Sequence, residues 1–236
     1  MKKLILSVVM LLSFGALRAQ PAQAADSAAR SEWLPSFTSV VVAAPLDIVF
    51  VRVPDTEAPR IEYDTKGSYT TKFKFEVRDK VLRITERSDA RRPERTSVKV
   101  CYNDVDAFTI NDAAATFEGT LTRSLLDLTV GGRATVTAAL DVKDLKMELT
   151  GHSKATLSGA VRYLSLLVST GEVDAAALEV MAAQVNATSG GTVTLTVTDR
   201  LEATTSTKGT ISFKGQPAIV RGGSRFLGGE IGHIEE

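Results

Sequence analysis

Apolar residues in the second half of this 236-residue chain return with a period near 20, and no other feature restricts the fold as much. One set of alternating positions is Leu126/Leu128/Val130, Leu145/Met147/Leu149, Leu164/Leu166/Val168, Val185/Ala187 and Leu201/Ala203, with first members 19, 19, 21 and 16 residues apart. A second set, Ala134/Val136, Ala155/Leu157, Val173/Ala175, Val193/Leu195 and Ile211/Phe213, recurs at 21, 18, 20 and 18. Small-residue corners lie between them: Gly131-Gly132, Thr150-Gly151, Ser169-Thr170-Gly171, Ser189-Gly190-Gly191 and Ser206-Thr207-Lys208-Gly209. Alternation is the period of a strand with one buried side. A turn of about 20 residues cannot bury that side alone, whereas stacked turns cover one another in a continuous narrow core. The pattern predicts an all-β parallel β-helix with about five recognisable C-terminal turns. A narrow core suits aliphatic residues, and aromatics are only 6% of the chain. Thr192, Thr194, Thr196 and Thr198 take the outward positions, where β-branching fits the pleat. A leucine-rich horseshoe has a similar period, but neither its asparagine ladder nor its helical return is visible; a β-sandwich has no reason to keep the period.

The first half is also strand-like. Phe73, Phe75 and Val77 alternate with Lys72, Lys74 and Glu76, and Val98, Val100 and Tyr102 with Ser97, Lys99 and Cys101. Asp174–Val185 is alanine-rich, but its strand-like flanks and its place in the repeat predict a strand. Residues 1–24 read as a secretory signal peptide. Lys2 and Lys3 precede an apolar run from Leu4 to Leu17, and small residues then allow cleavage after Ala19 or Ala24. No second apolar stretch reaches the length of a membrane span, so the expected product is exported and carries no transmembrane segment. Residues 25–36 read as a short linker, 37–220 as one β-helix domain and 221–236 as a Gly-rich cap or tail.

The closing string Leu201–Val220, LEATTSTKGTISFKGQPAIV, resembles the final motif of the putative auto-transporter adhesin, head GIN domain family, L-x-A-x-x-S-G-x-G-x-I-x-Y-x-G-x-P. The turns LKMELTGHSKATLSGAV and LSLLVSTGEVDAAAL resemble its S-G turns. FTSVVVAAPLDIVFVRV and KFEVRDKVLRITER resemble its opening strands, so the likeness runs from Phe37 to Val220. Thr207 departs from the motif's glycine, Phe213 from its tyrosine, and Thr150 and Thr170 from its small corner residues. The resemblance implies an exported, right-handed single-stranded β-helix of the Gram-negative envelope, periplasmic, associated with the outer membrane or extracellular. It implies an adhesion role and no catalytic residues.

Chemistry-bearing residues are sparse. With 28 basic and 28 acidic residues the chain has no charge excess to attract nucleic acid. A lone Cys101 excludes an internal disulfide, and two histidines, His152 and His233, leave little for a metal site. No catalytic residue, metal site or cofactor is expected. A β-helix polysaccharide enzyme, the alternative reading, needs carboxylates or Lys/Arg pairs on neighbouring turns. A 20-residue step sets Asp127 against Met147, and Asp174 against Thr156 and Thr194; Lys154, Glu172 and Thr192 form one outward column. Lys72–Lys99 holds ten basic and five acidic residues, while Cys101–Thr150 holds four basic and eight acidic. Arg87, Arg91, Arg92 and Arg95 lie in the basic stretch, in a loop that is the candidate dock for an anionic glycan or lipid surface, the competing reading being a solvated loop. The expected partner is an envelope or extracellular glycan or protein. Open strand edges at the ends of a β-helix also permit a homo-oligomer or a structural role in envelope assembly.

Overall fold

In the computed structural model the described residues are 29–66, 72–87, 94–224 and 227–235. The segment 1–24 read as a signal peptide, with Arg91 and Arg92, lies outside them. Eight short strands come first: β1 (Arg30–Trp33), β2 (Ser39–Ala43), β3 (Asp47–Arg52), β4 (Arg60–Asp64), β5 (Phe73–Arg78), β6 (Val81–Glu86), β7 (Ser97–Tyr102) and β8 (Ala107–Asn111). Five long bent strands follow: β9 (Ala114–Gly131), β10 (Thr135–Thr150), β11 (Lys154–Ser169), β12 (Glu172–Thr188) and β13 (Thr192–Thr205). The chain closes with β14 (Gly209–Lys214), β15 (Ile219–Ser224) and β16 (Gly229–His233). All sixteen belong to one sheet wound into a parallel β-solenoid of about 7 turns.

Successive long strands pair in parallel, one coil onto the next, and Leu145 lies between Leu126 and Leu164 as neighbouring rungs. The alanine-rich segment is strand β12. The true rows correct the repeat in two places. Ala183, not Val185, stacks on Leu164, and Val136, not Ala134, stacks on Ala155. The row Leu126, Leu145, Leu164, Ala183 and Leu201 is buried throughout and advances by 19, 19, 19 and 18 residues.

The N-terminal coils break sequence order. On one face the stack runs β1-β4-β7-β3-β9, and on the other β5-β6-β2-β8-β9, so the coil β2–β3 is clamped between β6–β7 and β8–β9. Strands β4 and β5 run antiparallel to β7 and β6, and β1, within the 25–36 segment, runs antiparallel to β4. The aromatics gather here. Phe50, Tyr102, Phe108 and Phe117 form one buried cluster, and Tyr63, Phe73 and Phe75 a second, partly buried one. At the other end, β15 and β16, between Ile219 and His233, pair with β13 and β14 as a last partial coil.

One corner of each coil needs a left-handed residue. Gly132 and Gly151 supply it at φ 66° and 72°, but Thr170 and Thr207 hold the same corner at 61° and 49°. A β-branched residue is strained there, because its Cβ crowds the next carbonyl. Thr170→Gly removes that strain at an exposed position and is expected to add about 1 kcal/mol of stability, partly offset by greater backbone freedom in the unfolded chain. Thermal unfolding checks it: the melting temperature rises by about 2–4 °C for a domain this size. An unchanged or lower value contradicts the strain argument.

Candidate functional site

Every long strand breaks strict alternation at one shared place. Two successive residues face outward at Ser124-Leu125, Lys143-Asp144, Arg162-Tyr163, Met181-Ala182 and Asp199-Arg200, while Leu126, Leu145, Leu164, Ala183 and Leu201 resume the buried row. The chain bends there, and because the bends stack, they make a continuous line across the coils. Two solvent-open depressions flank it. The larger, about 930 Å³, extends from Asp104 and Asp106 to Arg200 and Glu202 across the coils of β9 to β13.

Register fixes its floor as two columns. One is Asp127-Lys146-Ser165-Gln184-Glu202; the other is Leu125-Asp144-Tyr163-Ala182-Arg200. The first offers a hydrogen-bonding group on every rung. The second includes large apolar side chains left in water: Leu125 is 63% and Tyr163 44% exposed.

At one end of the groove the Arg123 side chain, only 10% exposed, donates from Nε to the Val105 carbonyl and from Nη2 to the Asn103 carbonyl, both at 3.0 Å. Its Nη1 pairs with Asp104, and Asp106 lies 3.9 Å from Nε. At the other end Arg200 pairs with Glu202, holding that carboxyl below its ordinary range. Five carboxylates and three basic groups line the groove, the former being Asp104, Asp106, Asp127, Asp144 and Glu202. Among the described residues no group of three or more His, Cys, Asp or Glu side chains is placed to hold a metal ion.

Residues 36–217 match the profile of the putative auto-transporter adhesin, head GIN domain family. The chain belongs to that family. Solved structures similar to this head GIN domain protein include a putative adhesin from Bacteroides fragilis, with TM-score 0.78 and 17% identity over 88% of this chain and 96% of the other. A putative adhesin from Parabacteroides distasonis superposes with TM-score 0.68 and 20% identity, covering 89% and 98%. A structure described as a putative lipid binding protein from the same species gives TM-score 0.68 at 17% identity, covering 88% and 96%. At these identities the likeness concerns the fold. No curated protein matches. No helix among the described residues is long and apolar enough to cross a membrane.

Among the described residues, those singled out in the sequence of this head GIN domain protein fall elsewhere, Asp127 excepted. Arg87 and Arg95 are exposed between β6 and β7, Arg95 lies 3.6 Å from Asp47, and neither lines the groove. His152 is exposed at a corner, and His233 packs its ring on Phe213 with Nε2 2.8 Å from the Gly215 carbonyl. Cys101 is fully buried, and burial pushes its thiol up, away from the reactive thiolate. Lys154 and Glu172 meet at 2.6 Å with both side chains more than half exposed, so the pair contributes little. Asp174 sits between Thr156 and Thr194, as the spacing indicates. Asp127 does not face Met147: the rungs here are 19 residues apart, and its neighbour is Lys146. The groove itself escaped the sequence reading, although the doubled outward residues at 124–125 and 162–163 are its signal.

Proposed function

We propose that this head GIN domain protein is an exported, non-enzymatic component of the cell envelope that binds an extended ligand along its solenoid, a glycan in the first instance. The leader-like segment 1–24 supports export. The single observation that carries the binding role is the groove: a floor built on rigid strands, open to water, repeating its hydrogen-bonding groups rung by rung. A non-enzymatic role is supported by the state of the carboxylates at its end. Asp104 and Asp106 have side chains 71% and 58% exposed and both face Arg123, whereas glycoside hydrolysis uses two carboxyls opposed across the scissile bond.

The test is incubation of the chain from Ala25 with a panel of purified polysaccharides, read for both retention and product release. Retention without products is the expected result. New reducing or unsaturated ends would show a polysaccharide-active enzyme instead, and no retention of any polymer would remove the glycan-binding role.

A further inference from the structure

We infer that the groove takes an unbranched hexose polymer lacking carboxylate and sulfate, laid along the solenoid axis with one ring stacked on Tyr163. The inference rests on the binding role proposed above and specifies its ligand.

Neighbouring rungs stand about 4.8 Å apart, and a hexose unit in an extended chain advances by a similar length. A polymer running across the strands therefore meets Asp127, Lys146, Ser165, Gln184 and Glu202 in step, one rung to about one sugar. Five rungs span roughly 20 Å, room for about four units. Beside that polar column Tyr163 and Leu125 stand exposed two rungs apart, with Asp144 between them. A tyrosine offers a flat apolar ring with a polar tip, suited to the C–H face of a pyranose whose hydroxyls point sideways to Lys146 and Ser165 in the polar column. Side chains on paired strands are held in place before binding, which limits the entropy lost in ordering the site.

Charge selects among polymers. Arg123 is engaged by Asp104 and Asp106, and Arg200 by Glu202, so Asp127, Asp144 and Lys146 remain to meet a ligand. Five acidic groups against three basic ones repel a polyuronate or a sulfated chain. A neutral sugar is accepted through hydroxyls, and an amino sugar adds a cation for Asp127 and Asp144.

Calorimetric titration of the chain from Ala25 with three linear hexamers tests this: β-1,4-linked glucose, β-1,4-linked glucosamine and galacturonate. Binding of the glucose or glucosamine hexamer is expected, with galacturonate at least tenfold weaker. Tyr163→Ala should weaken binding at least tenfold without changing the melting temperature. A preference for glucosamine that Asp144→Asn abolishes identifies the amino sugar, and equal binding of both hexamers by the unsubstituted chain identifies the neutral one. Galacturonate bound as tightly as the others, or an affinity indifferent to Tyr163→Ala, overturns the inference while leaving a glycan-binding role standing. Failure of all three hexamers alongside retention of some polymer in the panel does the same. Failure with every polymer overturns both.

Discussion

Phe50→Ala will be among the most destabilising single substitutions in this protein, at about 3–5 kcal/mol. Phe50 lies on β3, the strand inserted between β7 and β9, and its side chain is fully buried. Its ring stacks on Phe117 at 4.9 Å and meets Phe108 edge-on at 5.1 Å and Tyr102 at 6.4 Å. Truncation therefore removes the shared centre of the cluster and opens a cavity that strands tied by ladder hydrogen bonds on both sides cannot close. The coil most affected holds the out-of-sequence N-terminal half together, so the loss spreads beyond one rung. Chemical denaturation read by far-ultraviolet circular dichroism should give a clearly lower midpoint, and the melting temperature should fall by about 10 °C. A loss under 1 kcal/mol would mean that the cluster collapses around the gap, and that the packing of β3 is not what fixes this end.

The same cluster shows why only half of the solenoid is legible in the sequence. From Leu126 onward, rungs adjacent in space are adjacent in the chain, so stacking writes itself as a period. Before it, β2 and β3 sit between strands that come 40 or more residues later, and no fixed spacing survives that insertion. A narrow aliphatic core is what the repeat leads one to expect, and it holds for the C-terminal coils. The N-terminal coils are filled by Phe50, Phe108, Phe117 and Tyr102 instead. Within the repeat the errors are local. Ala183 is too small to stand out as an anchor, so its rung was displaced to Val185, and a nominal step of 20 moved Asp127 by one residue onto the wrong side of a strand. A one-residue slip exchanges the buried and outward sides, which is enough to hide a column of functional groups. The basic stretch, by contrast, is visible in composition alone. What composition cannot give is that Arg95 lies beside Asp47 while the exposed tyrosine and its carboxylates line a different surface.

Arg123→Met should cost about 3 kcal/mol and should also slacken one end of the groove. Residues 103–106 carry the chain from β7 past the inserted coil to β8, outside any strand, so a side chain must satisfy the Asn103 and Val105 carbonyls. Arg123 does so from below, with one guanidinium on the Asn103 and Val105 carbonyls and on Asp104, while the Asn103 amide ties the same segment to the Pro54 and Glu57 carbonyls at 2.8 and 3.0 Å. Hydrogen bonds from a charged, mostly buried donor are worth more than neutral ones, and removing the donor leaves acceptors without partners. Methionine keeps much of the stem's packing, so the loss reports on the guanidinium. Arg123→Lys should recover little, because an ammonium cannot span three acceptors as the planar fork does. Hydrogen exchange should quicken at Asp106 and Asp127, whose amides donate to the Thr38 and Asp106 carbonyls and bind the crossing to its neighbours. Exchange that stays slow there, with stability unchanged, would place the anchor of the crossing in Asn103 alone. If the anchor is Arg123, Asp104 and Asp106 lose their counter-ion in the variant, and the groove's preference for a cationic sugar over a polyuronate should sharpen.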